Sequence, residues 1–436
     1  MKKIGIYGLY SEQSIGDHYI LDGLINQIRS NFEEKVEIIV FSYSPCSTRA
    51  LLSNTNISVM SATPISSSKS KDQNYSEERE IRSIIKQKFK KILDSHPNLW
   101  FSVDPILLSN FNFWKKIHNK LQGLDLFVFG GGNILMDLYP YRVFYHYIYS
   151  QLCGITNTPA MYYSIGAGPL RSVRGRFYFN QTLKNIDYIT TRDKESLQLV
   201  EHVLNTENTH TELAADPALC LDLGESKSEH NMKRPIESDT TQIAVSLVPY
   251  YKKGYWPDPE QEIYHTYLET MVEALTNISE TRDASLTFFA TNHPTDLEPA
   301  EQILKRIDDD VSVKILRDKL TGKELVLWLK KFDFALCTRL HSLIPTFVSG
   351  TPFVAYAYQP KVQYFCSRIG HPSQAIDLSQ DSDRIIDQTQ QALATAEEWS
   401  GTIPDHNQKL NALRSSANKS VQLAKAIVDS DQHDFR

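Results

Sequence analysis

Short apolar runs alternate with longer amphipathic stretches along most of this chain of 436 residues. The apolar runs lie at residues 4–9, 36–41, 124–129, 160–165 and 188–191, and after residue 240 at 243–248, 286–290, 311–316, 334–337 and 353–356. The stretches between them, such as 19–28 and 114–121, have the spacing of amphipathic helices. Nearly continuous apolar strands that alternate with helices predict an α/β fold with parallel sheets covered on both faces.

A polar stretch without periodicity divides this alternation into two halves. Residues 222–241 form the predicted linker. The pattern predicts a Rossmann-like domain over 1–221, a second over 242–396, and a segment 397–436 whose helix at 407–428 braces the domains. In such doubly wound domains ligands bind beyond the carboxyl ends of the strands, so we expect a site in the cleft where the two domains face each other.

Composition narrows the class of protein. The chain has 46 Lys and Arg against 52 Asp and Glu, a net charge of −6, which argues against nucleic acid as a partner. The five cysteines are scattered without a C-x-x-C pair, which predicts reduced thiols, a cytoplasmic protein and no bound metal. The run 4–9 is too short for a signal peptide, and no stretch is long enough to predict a membrane span.

Glycine-containing loops follow three apolar runs of the first half. They contain Gly16 with Asp17, then Gly131, Gly132 and Asn133, and then Gly168. Glycine at a strand end permits positive φ and lets backbone N–H groups approach an anion closely, so we take these as acceptor or phosphate loops. Tight turns explain the glycines equally well, and Asp17 suits a helix N-cap by type.

Cationic and imidazole groups follow other runs at the same predicted edge. They are Arg192, His293, Arg339, His341 and Lys361. The helix predicted to begin near His341 adds N–H donors that attract anions. Such a concentration of positive charge in an acidic protein favours a small, highly charged anionic substrate. His293 fits a substrate contact and a structural role equally, and Arg192 is followed by residues that suit a helix cap.

Residues 77–95 have isoleucines, Phe89 and Leu93 at helical spacing, with four lysines between them. This pattern is typical of a helix resting on an anionic membrane surface. More often such a helix packs its apolar side on its own domain, and both interpretations stay open.

The strand-end motifs also match a known pattern in their order and spacing. They are Gly16-Asp17, Gly130-Gly131-Gly132, Gly168-Pro169, Arg192-Asp193 with Ser196, Ala215-Asp216-Pro217-Ala218, Arg339-Leu340-His341, Gly350-Thr351-Pro352 and the spacing of Tyr358 to Lys361. Up to about residue 370 the chain thereby resembles the polysaccharide pyruvyl transferase family. It departs from the family in residues 11–17, which are longer than the usual short Gly-Asn turn and lack its asparagine.

The resemblance implies transfer of an enolpyruvyl unit from phosphoenolpyruvate to two hydroxyls of a sugar, which gives a pyruvate ketal and phosphate. It implies two Rossmann-like domains arranged as in GT-B glycosyltransferases, the first on the acceptor side and the second on the donor side. The acceptor is a polysaccharide precursor, often lipid-linked, which fits the inner face of the cytoplasmic membrane. Arg339, Leu340 and His341 then resemble the donor and catalytic site, and Arg192 a donor ligand.

The chemistry of these side chains also fits that reaction independently of the resemblance. Arg192, Arg339 and Lys361 can neutralise the carboxylate and phosphate of phosphoenolpyruvate, so no cofactor or metal is expected. We predict His341 as the general acid that protonates C3, and Asp17, by position alone, as the base. Two alternatives remain, a GT-B glycosyltransferase that uses a nucleotide sugar and a non-catalytic scaffold of a polysaccharide assembly complex.

Overall fold

The computed structural model describes residues 1–10, 14–32, 35–52, 55–64, 110–204, 209–221, 240–256, 258–399 and 403–430. The predicted helix at 77–95 and nearly all of the predicted linker lie outside these residues. Within them, the strands form two sheets in which every neighbouring pair is parallel.

The first half of the chain forms the larger sheet. Its strands are β1 (Lys3–Gly8), β2 (Glu37–Ser42), β3 (Ile57–Ser61), β4 (Leu126–Gly130), β5 (Asn133–Leu135), β6 (Ala160–Ala167), β7 (Tyr188–Thr191) and β8 (His210–Leu213). They lie in the order β3-β2-β1-β4-β6-β7-β8, with β5 beside β6. The helices of this half are α1 (Ile15–Asn31), α2 (Pro45–Leu51), α3 (Phe111–Leu121), α4 (Pro140–Thr156), α5 (Val173–Leu183) and α6 (Lys194–Val203), followed by a 3₁₀ helix at Pro217–Cys220.

The second half forms the other sheet. Its strands are β9 (Thr241–Ser246), β10 (Ala284–Phe288), β11 (Val313–Ile315), β12 (Phe334–Cys337), β13 (Phe353–Ala357) and β14 (Ala375–Asp377), in the order β11-β10-β9-β12-β13-β14. Its helices are α7 (Gln261–Arg282), α8 (Leu297–Leu304), α9 (Gly322–Leu329), α10 (Leu340–Ser349), α11 (Pro360–Arg368) and α12 (Ser382–Trp399), with a 3₁₀ helix at Pro372–Gln374.

Both sheets reverse their strand order beside their first strand, between β1 and β4 and between β9 and β12. Such a reversal opens a crevice at the carboxyl ends of the strands, where doubly wound domains bind ligands. Central strands such as β4 and β13 are buried along their whole length, as their continuous apolar runs predict. The prediction of two Rossmann-like α/β domains is confirmed.

The last helix, α13 (Ile403–Asp429), contacts both halves. Its Ser420 hydroxyl lies 2.8 Å from the Ser164 hydroxyl and 2.7 Å from that of Thr190, in the core of the first half. Nearer the start of the helix, Leu410 and Leu413 are buried in a cluster with residues of α10. None of the described helices has both the length and the apolar character needed to cross a bilayer.

Helix α1 joins the two halves through its first turns. Ile15, Tyr19 and Ile20 are buried in one hydrophobic cluster with Leu340 and Leu343 of α10. Ser14 caps this helix, because its hydroxyl accepts a hydrogen bond from the Asp17 amide. The carboxyl edges of the two sheets are therefore joined by a shared core close to the predicted site residues.

Candidate active site

The loop before α1 contacts the loop after β10 across the interface between the halves. The Ile15 amide donates to the Thr291 carbonyl at 3.0 Å, and Ser14 forms an isolated bridge with Asn292. Gly16 faces His341, since a Cβ atom added to Gly16 would lie 2.2 Å from Cγ of the imidazole. Only glycine leaves room for the helix backbone and this ring at such a distance.

His341 is the second residue of α10, and its ring is enclosed by both halves. Its Nε2 atom is buried and makes no hydrogen bond within the part of the chain that the structure describes. Burial, followed by the charges of Arg192, Lys361 and Arg339, lowers the pKa of His341 well below its usual value. The imidazole is therefore neutral at neutral pH, and it lies within electrostatic reach of all three predicted cations.

Arg192 follows β7 and is buried with a carboxylate partner. Its Nη1 atom donates to Oδ2 of Asp216 at 2.8 Å. Its Nε atom is buried without a hydrogen bond in the described structure, and the guanidinium lies so close to Gly166 that an added Cβ would be 3.0 Å from Nη2. Arg368 of α11 donates to the Arg192 carbonyl, which links this strand end to the second half.

Arg339 occupies the N-cap position of α10 and is paired in the same manner. Its Nε and Nη2 atoms donate to the Asp296 carboxylate at 2.7 and 2.5 Å, and Nη2 also donates to the Tyr255 hydroxyl. The Asp296 side chain is fully buried. A bidentate contact of this kind fixes the plane of the guanidinium.

Lys361 differs from the two arginines. No carboxylate forms an ion pair with it among the residues described, and its Nζ atom lies 5.4 Å from the centre of the Tyr358 ring. Burial opposes ionisation of Tyr358, but the charges of Lys361 and Arg339 outweigh it and lower the pKa of that phenol. Two of the three predicted cations thus have acidic partners, so the site is less positive than the sequence alone indicates.

Asp17 is the third residue of α1 rather than its N-cap, so that expectation was wrong. Its amide bonds to Ser14, and its carboxylate lies near the glycine turn, 3.5 Å from where a Cβ of Gly132 would be. Burial raises the pKa of Asp17, while Arg142 and Arg192 partly oppose the shift. A carboxyl group with a raised pKa beside the cleft is suited to exchanging protons.

The glycine loops have the predicted positive φ angles, but some of their polar groups already form hydrogen bonds within the protein. Gly131, Gly132 and Gly168 have φ of +58°, +76° and +94°. The Gly131 amide donates to the Tyr163 carbonyl at 3.1 Å, so this N–H, expected to be bare, is occupied. The Asn133 side chain donates to the Gly168 carbonyl at 2.9 Å. These bonds tie the two loops to each other.

His293 is buried just before α8, after β10. Its Nε2 atom makes no hydrogen bond among the described residues, and burial, followed by the charge of Lys319, lowers its pKa. A capping box formed by Thr295 and Glu298 is suggested by the sequence, but α8 begins after Asp296, and Glu298 pairs with Lys252 instead.

A small cavity of about 30 Å³ lies where these elements meet. Its lining includes Arg192 and Asp216 from the first half, and Leu340, Lys361 and Arg368 from the second. A volume of this size holds about one water molecule. In this arrangement of its lining, the cavity is therefore too small for a ligand larger than water.

Three important residues of the site lay outside the sequence prediction: Tyr255, Asp296 and Arg368. Each acts on a predicted residue that is distant along the chain, at separations of 84, 43 and 176 positions. Asp216 was noted only as part of a motif, and the bond to Arg192 gives it a defined contact. An acidic residue at a strand end was the available signal for Asp296, but a capping role explained it equally well.

Comparisons with known proteins point to one family. The profile of the polysaccharide pyruvyl transferase family matches residues 15–360. A curated relative, the amylovoran biosynthesis protein AmsJ of Erwinia amylovora, is 23% identical over 283 residues, and the match covers 63% of this chain and 66% of the relative.

Solved structures with the same fold belong to other enzymes. A glycosyltransferase from Rickettsia africae has a TM-score of 0.57 and 13% identity, with 99% of this chain and 100% of that chain covered. A UDP-GlcNAc 2-epimerase from Neisseria meningitidis, bound to UDP-GlcNAc, has a TM-score of 0.55 and 10% identity over the same shares. At such low identity the likeness shows the two-domain fold alone.

Proposed function

Because the chain belongs to the polysaccharide pyruvyl transferase family, we propose that it transfers an enolpyruvyl unit from phosphoenolpyruvate to two hydroxyls of a sugar in a polysaccharide precursor. The products are a pyruvate ketal and phosphate. One observation supports this most strongly: the His341 ring, whose buried Nε2 atom makes no hydrogen bond in the described structure, lies within reach of the charges of Arg192, Arg339 and Lys361. Buried polar atoms without partners are costly unless a ligand satisfies them.

The donor carries a carboxylate and a phosphate, and the site offers complementary groups. The buried Nε of Arg192, the ammonium of Lys361 and the N-terminal amides of α10 after Arg339 can each bind an anionic oxygen. Asp216 and Asp296 hold the two arginines in place. Preorganised donors of this kind bind charge without having to reorient when the reaction occurs.

His341 fits the role of proton donor to C3 once the donor is bound. Burial, followed by the three cations, lowers its pKa, and an anionic donor would offset the charge of the cations, which favours the protonated ring. The first sugar hydroxyl adds to C2 as His341 protonates C3. Phosphate then leaves C2 and the second hydroxyl replaces it. Of the two hydroxyl protons, one balances the proton delivered to C3, and the other leaves with phosphate.

Asp17 is the proposed base for the sugar hydroxyls. Burial raises its pKa, and it lies on the first half, opposite His341 and beside the glycine turn at Gly132. The AmsJ relative is described as a biosynthesis protein for amylovoran, which supports an exopolysaccharide precursor as acceptor. A lipid-linked precursor at the inner face of the cytoplasmic membrane fits this proposal.

The test is phosphate release from phosphoenolpyruvate by the purified chain with a panel of β-linked galactosides, β-linked glucosides and N-acetylmannosamine lipids. Release should require an acceptor. His341→Ala should lower the rate about 10²–10⁴-fold, the usual contribution of a general acid. His265→Ala is the matched control, because His265 is an exposed histidine on α7, and its rate should equal that of the unmodified chain.

Two results would contradict the proposal. One is the absence of acceptor-dependent phosphate release with every sugar, combined with thermal stabilisation by UDP or GDP and none by phosphoenolpyruvate. That result would favour a glycosyltransferase. The other is full activity in His341→Ala, which would remove the assigned acid.

A further inference from the structure

An exposed apolar surface lies on the first half, where two chain segments lead into α4 and α5. Of the large apolar side chains there, Val173 is 79% exposed and Leu138 43% exposed, and Tyr139, Tyr141 and Phe177 are exposed to a similar degree as Leu138. We call these five residues the rim surface. Single exposed apolar residues are ordinary, but a contiguous group of them marks an interaction site.

Hydrogen bonds show that the two segments share one surface. The Asp137 carboxylate accepts from the Arg171 amide at 3.0 Å and from the Ser172 amide and hydroxyl at 2.5 and 2.6 Å. Leu138 and Val173 each directly follow one member of this bonded pair. The Phe144 and Tyr178 rings pack edge to face with centroids 5.8 Å apart, which fixes α4 against α5 behind the rim surface.

The rim surface is strongly basic although the chain is acidic. Arg142, Arg171, Arg174 and Arg176 flank it, and no Asp or Glu occurs between residues 138 and 186. The Arg142 guanidinium lies 4.1 Å from the centre of the Tyr139 ring. Asp137, the acid that directly precedes this surface in the sequence, is already bonded to Arg171 and Ser172. The local charge is thus positive in a protein of net charge −6.

The rim surface also borders the candidate active site. Arg142, whose side chain covers Tyr139, is close enough to Asp17 to oppose the rise of its pKa. On the other side, the Asn133 side chain and the Gly168 carbonyl, which join the glycine loops, lie a few residues before Leu138 and Arg171. A partner bound to the rim surface would therefore lie at the entrance of the cleft, on the side of the first domain.

We propose that the rim surface docks the protein on an anionic phospholipid bilayer. Leu138, Val173 and Phe177 enter the interface, the two tyrosines lie at headgroup level, and the arginines bind lipid phosphates. Aliphatic side chains favour a bilayer over a glycan, because they offer a sugar no hydrogen bonds. If the proposed function also holds, docking brings a lipid-linked acceptor to the cleft.

The experiment is flotation of the full chain with vesicles of phosphatidylglycerol and phosphatidylcholine, compared with vesicles of phosphatidylcholine alone. Binding should require the anionic lipid and weaken with salt. Leu138→Asp with Val173→Asp should lower the partition coefficient at least about tenfold, since two buried aliphatic side chains are lost. Arg171→Ala should lower it about fivefold, the usual effect of one arginine near a charged surface.

Ile155→Asp is the matched control, since Ile155 is 68% exposed at the opposite end of α4 and should leave binding unchanged. Thermal unfolding of each variant checks that it folds. Equal binding to both vesicles, an unchanged double variant, or an equal loss in Ile155→Asp would each overturn the proposal. So would a loss confined to charge reversal of Lys86, Lys88, Lys90 and Lys91, which would assign docking to residues 77–95.

The remaining alternative to distinguish is that the rim surface binds a glycan instead of a bilayer. If the Leu138 and Val173 double variant binds vesicles normally but loses affinity for a water-soluble oligosaccharide, the surface binds sugar and the proposal fails. Vesicle binding is measured without phosphoenolpyruvate, so its outcome is independent of catalysis. A chain that binds vesicles through the rim surface but releases no phosphate would refute the proposed function alone.

Discussion

At the scale of single residues, the site combines each buried arginine with a buried carboxylate. Asp216 and Asp296 are bonded to Arg192 and Arg339, and neither pair was evident from strand-end motifs alone. Burying a guanidinium without a partner is costly, so such pairs keep the charge in place and set its direction. Ligand binding then depends on the remaining donor atoms of each arginine.

Gly166→Ala tests whether the position of Arg192 matters. A Cβ at this position would lie 2.8 Å from Oδ1 of Asn133 and 3.0 Å from Nη2 of Arg192, so the guanidinium has to shift. We expect kcat/KM for phosphoenolpyruvate to fall about tenfold to a hundredfold, the range for a misplaced binding group. Steady-state kinetics measures it, and the thermal midpoint should change little.

Gly123→Ala is the control for this substitution. The nearest atom to its added Cβ, the Lys120 carbonyl oxygen, is 3.8 Å away, which is ordinary contact. Unchanged kinetics in Gly166→Ala would mean that the guanidinium can move without affecting donor binding.

The chemistry of individual residues was partly predictable. Arg192, His341 and Lys361 follow strands, and a parallel sheet brings all strand ends to one edge, so their common location followed from the pattern. Tyr255 was missed because it reaches Arg339 from a loop 84 positions earlier within the second half. Arg368 was missed because its contact with Arg192 depends on how the two halves pack. The lowered pKa of His341 was missed for the same reason, since it depends on burial by the opposite half.

At the scale of elements, apolar runs predicted the central strands and the edge strand β11, but the other edge strands escaped notice. β3, β8 and β14 contain few fully buried positions, and β5 is only three residues long. A half-exposed strand at the edge of a sheet needs no continuous apolar run, so its sequence resembles a loop. The presence of strands was therefore predictable mainly at the centre of each sheet.

Helix α13 gives a prediction at this scale. The Ser420 hydroxyl is fully buried between the hydroxyls of Ser164 and Thr190. Ser420→Ala leaves those partners with fewer bonds, and we expect the free energy of unfolding to fall by about 1–3 kcal/mol. Urea denaturation measures this.

Ser415→Ala, at an exposed position of the same helix, should change the free energy by less than about 0.5 kcal/mol. Equal stability of the two variants would indicate that the contacts of Ser420 do not hold α13 to the first half.

At the scale of the whole molecule, one buried and one partly buried histidine should make stability depend on pH. Burial lowers the pKa of His146 in the first half to about 3 and that of His371 in the second to about 4. The unfolded chain takes up these protons below about pH 6.5, and the folded chain does so only at lower pH. The free energy of unfolding should therefore fall as the pH drops from about 6.5 toward 4.

His146→Gln isolates one contribution. His146 is fully buried and bonds to the Tyr162 hydroxyl at 2.9 Å, a contact that glutamine can replace. Loss of the titrating imidazole should reduce the slope of the unfolding free energy against pH by about 1.4 kcal/mol per pH unit in this range. Denaturation at several pH values measures the slope, and His265→Gln, at an exposed position, should leave it unchanged. A slope unaltered in His146→Gln would contradict this assignment.

The contact between Gly16 and His341 has a consequence for how the donor is handled. One residue belongs to each half, so any hinge-like opening removes the wall behind the imidazole. If His341 protonates C3 of the donor as proposed, it can do so only when the two halves close around both reactants. While the halves are open, no acid would be in position beside the donor. Water would then not hydrolyse the enol phosphate between turnovers.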